Sequence, residues 1–166
     1  SLGNALDWGD TPDPREWNSS NCATSTRGVF GGGSGTNAIE YITFSTKGNT
    51  SDFGDLTSAR SETSSCASTT RGMFAGGHDG SDSDTVDYIT IASFGNATDF
   101  GNLASAKEGP MAAGSSTRAC FAGAISNVSD DIDYFTIAST GNSSDFGDLT
   151  DDRGMGAGVS NSTRGC

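Results

Sequence analysis

Thr70-Arg71-Gly72-Met73-Phe74-Ala75-Gly76-Gly77, then Val86-Asp87-Tyr88-Ile89-Thr90-Ile91, then Gly95-Asn96 leading to Asp99-Phe100-Gly101-Asn102-Leu103 form one unit of a tandem repeat. The same markers return on both sides of it. Thr26-Arg27-Gly28, Thr117-Arg118-Ala119 and Thr163-Arg164-Gly165 match the first string, with steps of 44, 47 and 46 between Arg27, Arg71, Arg118 and Arg164. Ile39-Glu40-Tyr41-Ile42-Thr43-Phe44 and Ile132-Asp133-Tyr134-Phe135-Thr136-Ile137 match the second. Gly48-Asn49 with Asp52-Phe53-Gly54-Asp55-Leu56, and Gly141-Asn142 with Asp145-Phe146-Gly147-Asp148-Leu149, match the third. A degenerate copy, Gly3-Asn4 to Asp7-Trp8-Gly9-Asp10, opens the chain. A fixed period of this kind is the signature of a repeat architecture.

Each unit reads as four short strands. Along the tyrosine strand one face carries Ile39, Tyr41 and Thr43 and the other Glu40, Ile42 and Phe44. Both faces are partly apolar, so the strand belongs to a sheet covered on both sides. Four strands of about five residues plus turns fill the period, the arithmetic of a propeller blade. The fold expected is an all-β propeller of four-stranded blades: a partial blade over 1–25, repeats over 26–69, 70–116 and 117–162, and the start of a further repeat over 163–166.

Eight of the nine Lys and Arg occupy two repeat positions. Arg27, Arg71, Arg118 and Arg164 hold one; Arg15, Arg60, Lys107 and Arg153 hold the other, seven residues after Trp8, Phe53, Phe100 and Phe146. Cations placed so regularly are expected to pair with the repeated acids and fix blade to blade.

The glycine pair closing a strand (Phe30-Gly31-Gly32; Phe74-Ala75-Gly76-Gly77), the tyrosine preceded by an acid, and the aromatic with its downstream Arg resemble the Kelch repeat over nearly the whole chain. The resemblance implies packing and turn roles for Gly76-Gly77, Tyr88 and Phe100, and so for Tyr41, Tyr134, Phe53 and Phe146 at the same positions. Phenylalanine stands where Kelch has Trp, which only Trp8 keeps, and Gly123-Ala124 replaces the third glycine pair. Those departures point away from the intracellular adaptor type. The Thr-Arg-Gly-x-Phe and Gly-Asn-x-Ser/Thr-Asp-Phe-Gly-Asp-Leu strings also resemble repeats in tail-associated structural proteins of aquatic bacteriophages.

Composition narrows the partners. Glycine numbers 24 and charged residues only 18%, a balance that favours turns and short strands. A net charge of −12 repels phosphates, so neither nucleic acid nor anionic lipid is an expected partner. No window reaches the roughly 18 apolar residues that span a bilayer, and no leader pattern opens the sequence. The four cysteines show no CxxC and there is one histidine, which removes zinc-finger spacing. Each Cys sits where other copies have Val29, Met73, Ala113 or Val159, so buried free thiols are expected, with a bridge between neighbouring repeats as the alternative.

The loops after the glycine strands differ between copies: Gly33-Ser34-Gly35-Thr36-Asn37, His78-Asp79-Gly80-Ser81-Asp82-Ser83-Asp84, and Ser126-Asn127-Val128-Ser129-Asp130-Asp131. Such loops emerge on one propeller face and carry recognition, or else are solvated turns. Asn37, His78, Asp79, Asp82, Asp84, Asn127, Asp130 and Asp131 are the binding candidates. Asp79, Asp82 and Asp84 with His78 offer ligands to Ca²⁺, at a spacing that is not an EF-hand loop; no cofactor is expected. Asn-x-Ser/Thr sequons occur at Asn18, Asn49, Asn96, Asn127, Asn142 and Asn161. No unlike residues converge as catalysis requires, and no catalytic residue is assigned.

The leading expectation is therefore a non-enzymatic virion component, tail-associated, structural or receptor-binding, with its loops contacting a protein or glycan surface or other proteins of the same particle. The alternative is an extracellular microbial adhesin or filament subunit, in either case with homo-oligomerisation open. A galactose-oxidase-like or sialidase-like enzyme is the second alternative; one histidine does not furnish a copper set, and Arg27, Arg71 and Arg118 share a single repeat position. Three and a half units do not close a ring, so the segment is expected to be a piece of a propeller of about six or seven blades.

Overall fold

The computed structural model describes residues 4–12, 15–16, 20–33, 35–161 and 163–166. Gly3 of the opening marker, the sequon Asn18, Ser34 of the first loop and the boundary residue Ser162 lie outside them. Among the described residues there is no helix. Twelve strands form three four-stranded antiparallel sheets. The first contains β1 (Ser20–Ala23), β2 (Arg27–Gly31), β3 (Ala38–Thr43) and β4 (Ser51–Asp55). The second contains β5 (Ser64–Ala67), β6 (Arg71–Ala75), β7 (Thr85–Thr90) and β8 (Thr98–Asn102). The third contains β9 (Met111–Gly114), β10 (Arg118–Ala122), β11 (Asp131–Thr136) and β12 (Ser144–Asp148). Each is a meander in chain order, and the sheets do not close on themselves. Each begins one strand before its Thr-Arg marker, so the structural unit is offset from the sequence repeat.

Local chemistry explains the strand ends. Between the first two strands of each sheet a side-chain oxygen caps the turn: Thr24 Oγ1 accepts from Arg27 N, Ser68 Oγ from Arg71 N and Ser115 Oγ from Arg118 N, at 3.3, 3.0 and 3.1 Å. The Asp-Phe-Gly string builds a β-bulge. Pairing of the third and fourth strands slips between Ile39 and Glu40, between Val86 and Asp87, and between Ile132 and Asp133, leaving the aromatic as the extra residue. Gly101, next after Phe100, has φ +144°, and a Cβ there would collide with the Gly141 carbonyl of the neighbouring sheet. Asp99 Oδ1 holds the Gly101 amide at 3.0 Å.

Packing occurs between sheets. Cys22, Val29, Ile39, Phe53 and Leu56 of the first meet Phe74, Ile89 and Ile91 of the second. Cys66, Met73, Val86, Phe100 and Leu103 of the second meet Ala119, Phe121, Phe135 and Ile137 of the third. Each such side chain, fully buried, contributes on the order of 1.5–3 kcal/mol for the larger residues. The faces of β7 divide by alternation: Val86 and Tyr88 pack toward the third sheet, while Asp87 and Ile89 point toward the first. β1, β5 and β9 lie side by side.

Candidate functional site

Neighbouring sheets are joined by a repeated set of polar contacts. Arg60 leaves the loop after β4 and enters the second sheet, where Nη2 meets Asp87 Oδ2 at 2.6 Å and Nη1 donates to Thr85 O at 2.9 Å. Lys107 does the same in the third sheet, with Nζ 3.1 Å from Asp133 Oδ2 and 3.1 Å from Asp131 O. Arg15 pairs with Glu40 of the first sheet at 3.1 Å. The acids have further donors: Thr57 Oγ1 to Asp87 Oδ1 at 2.7 Å, and Ser143 Oγ to Asp133 Oδ1 at 2.6 Å. Burial lowers the Arg60 pKa from its ordinary value, and the charges of Asp87 and Asp79 oppose that fall.

Among the described residues no acid forms an ion pair with Arg27, Arg71 or Arg118. Each guanidinium lies over the tyrosine of its own sheet, 5.3, 4.6 and 5.0 Å from the ring centroids of Tyr41, Tyr88 and Tyr134. Arg27 and Arg71 then reach the next sheet through a carbonyl, Ile91 O at 2.8 Å and Ile137 O at 2.6 Å. The cause is register: Arg27 stands opposite Thr43, two residues from the Val29–Tyr41 pair and so on the same face, and its side chain lies across the aromatic face. Arg164 is exposed at the chain's end and its amide donates to Asn161 Oδ1.

The Gly-Asn marker is a joint between sheets too. Gly95 N donates to Phe53 O at 2.9 Å, while Asn96 Oδ1 accepts from Asp55 N at 3.1 Å. Gly48-Asn49 joins Trp8 and Asp10 in the same way, and Gly141-Asn142 joins Phe100 and Asn102. The sequons at Asn49, Asn96 and Asn142 thus spend their side-chain oxygens on stacking.

The third sheet presents the same groups with no fourth four-stranded sheet beyond them among the described residues; the segment that includes Ala157, Gly158, Gly165 and Cys166 lies there instead. Phe53 and Phe100 are each 2% exposed, Phe146 54%. Among the described residues the acid paired with the Arg153 guanidinium is Asp151 of its own loop, at 3.5 Å, and the Arg153 side chain is 51% exposed. A hollow of about 300 Å³ here is lined by Met111, Cys120, Ile132, Phe146, Leu149 and Ala157.

The variable loops share one end with the loops that carry Arg60 and Lys107, since Gly33 N donates to Arg60 O and Gly77 N to Lys107 O. Asn37, Asp84 and Asp130 occupy one repeat position, each carbonyl accepting from the leucine amide of Leu56, Leu103 or Leu149. Asp79 and Asp131 are exposed. Across the second and third loops, Asp82 Oδ2 accepts from Ser126 Oγ and from Asn127 Nδ2, the latter at 3.2 Å. Metal-type donors come together in two groups among the described residues: His78, Asp82 and Glu108, and Asp130, Asp131 and Asp148, with ligand atoms within 4.8 Å. Asp79 and Asp84 belong to neither, so the calcium set read from the sequence is not the set the loops assemble. Glu108 and its neighbour Glu62 were not singled out by the sequence. Burial raises the Glu62 pKa from its ordinary value, and Glu108 adds to that rise through its charge and a hydrogen bond.

All four cysteines are free. Burial pushes the Cys22 thiol up to about 12 and raises Cys66 and Cys120 as well, while Cys166 is exposed rather than buried. At the end opposite the variable loops, a depression of about 430 Å³ is lined by hydroxyl-bearing turns including Thr24, Ser25, Ser68, Thr69, Ser115 and Ser116. No protein-family model matches the chain, and no curated protein matches it.

Proposed function

We propose that the chain is a non-enzymatic structural and binding module, a Kelch-like β-propeller in which each four-stranded sheet is a blade and the loops after β2, β6 and β10 make the recognition face. The observation that carries this reading is the recurrence of one inter-sheet joint: Arg60 on Asp87 and Lys107 on Asp133, with β1, β5 and β9 side by side. Equivalent contacts join each sheet to the next, as expected of successive blades. Between the sheets the repeated cations, tyrosines and aromatics are consumed in stacking, so the residues left on the loops to meet a partner are those that vary, the exposed Asp79, Asn127 and Asp131 among them. The exposed Phe146 face is, on this reading, where another blade seats.

On this reading, for which the resemblance to tail-associated repeats is the support, the module sits on a virion and contacts a host surface protein or glycan or a neighbouring virion protein. Mass spectrometry of the source particle tests it. Recovery of this sequence with capsid and tail proteins supports the assignment. Recovery from a cell-surface fraction that lacks virion proteins refutes it and favours an adhesin.

A further inference from the structure

Four side chains outside the repeated inter-sheet joints meet where the second and third loops cross the turns after β4 and β8. His78 and Asp82 come from the β6–β7 loop, Glu108 from the turn after β8 and Glu62 from the turn after β4. The main chain fixes three of them: His78 and Ser61 exchange two hydrogen bonds at 3.0 and 2.8 Å, Gly109 N donates to Glu62 O at 2.9 Å, and Ile125 N donates to Glu108 O at 2.9 Å.

The side chains are oriented for a ligand. His78 Nδ1 is shut off from solvent and has no hydrogen-bond partner among the described residues, although the imidazole as a whole is 40% exposed. It stands 3.5 Å from Asp82 Oδ1. The other oxygen, Asp82 Oδ2, is held by Ser126 and Asn127, which orients the carboxylate so that Oδ1 faces His78. An outer shell that fixes a ligating carboxylate in this way is a common feature of metal sites. Glu62 hydrogen-bonds to Glu108, which brings a second carboxyl group beside the three. Glu62 also holds its place in a left-handed conformation, φ +53°, where the next repeat has Gly109 at φ +56°.

We infer that His78 Nδ1, Asp82 Oδ1 and Glu108 bind one divalent transition-metal ion of the Zn²⁺ or Co²⁺ class, with Glu62 as the adjoining carboxylate. An imidazole with two carboxylates suits such ions, whereas Ca²⁺ takes roughly six to eight oxygen ligands. The ion ties the loop of one sheet to the turn that leads into the next, independently of whether the sheets close into a propeller.

Co²⁺ tests the site directly. The chelator-stripped protein is titrated with Co²⁺ and followed by visible absorption, with Zn²⁺ and Ca²⁺ as competitors, alongside His78→Asn and Glu108→Gln. The expected result is saturation at a single equivalent with an intensified visible band, displaced by Zn²⁺ but not by Ca²⁺. Each variant then weakens binding at least about tenfold. Circular dichroism of the metal-free variants checks that they fold, and the near-isosteric Glu108→Gln reports on the site if His78→Asn does not. Equal uptake by wild type and variants, with the pale spectrum of aqueous Co²⁺ or with displacement by Ca²⁺, overturns the inference and assigns the binding to the acidic surface at large.

Discussion

Replacing Arg60 by Met leaves Asp87 buried with Thr57 as its partner, and replacing Asp87 by Leu leaves Arg60 with only Ser83 Oγ and Thr85 O. Both side chains are fully buried, so each single variant strands a charge where water does not reach it. Breaking such a pair costs about 3–5 kcal/mol, while exchanging both partners for apolar residues of similar volume is often neutral. Against a stability of about 5–15 kcal/mol, either single change removes a large share. With an m-value of about 2 kcal/mol/M, the urea midpoint falls by about 2 M for each single variant. Arg60→Met/Asp87→Leu recovers most of that loss, giving a coupling of at least about 3 kcal/mol in a double-mutant cycle. The reasoning is refuted if the single variants cost under about 1 kcal/mol, or if their costs simply add.

Gly101→Ala forces a side chain into φ +144° and onto the Gly141 carbonyl, whereas Gly147 meets nothing within 4 Å, so chemical denaturation finds Gly101→Ala the more destabilising by at least about 1 kcal/mol. Glu62→Gly releases a left-handed residue and its facing acid, and raises stability by about 1 kcal/mol in thermal melts of metal-free protein. In the native state Cys166 reacts with a thiol reagent, while Cys22 and Cys66 react only on unfolding. The Cys22 thiol is raised in the fold from 9.0 to about 12, so its stabilising contribution is complete below pH 9 and lost as the pH rises toward 12. That loss approaches a slope of about 1.4 kcal/mol per pH unit, which Cys22→Ala removes in denaturation series across that range.

The repeat period, the strand count and the apolar strands were legible because each unit folds locally into a meander and its alternation survives in the sequence. What the sequence hid is pairing between units. Gly95-Asn96 and the Asp99-Phe100 string stand close together in the chain, yet Gly95-Asn96 bonds to Phe53 and Asp55 of the preceding sheet. The two cation positions looked alike as charges, but the strand register lays Arg71 on Tyr88 and the loop geometry sends Arg60 to Asp87. Glu62 and Glu108 join His78 only because two turns and one loop cross at one end of the sheets, and no spacing along the chain records such a crossing. Asp82 was legible as a loop acid; its fixation by Asn127 of the next repeat was not.

The structure of the intact protein in its native assembly, determined by electron cryomicroscopy, tests the propeller reading most directly. The account predicts a closed ring of four-stranded sheets around an axis lined by β1, β5 and β9, with Phe146 and Arg153 buried against a following sheet that supplies an acid to Arg153. A straight stack or open arc, with the Phe146 face still turned to solvent, contradicts it.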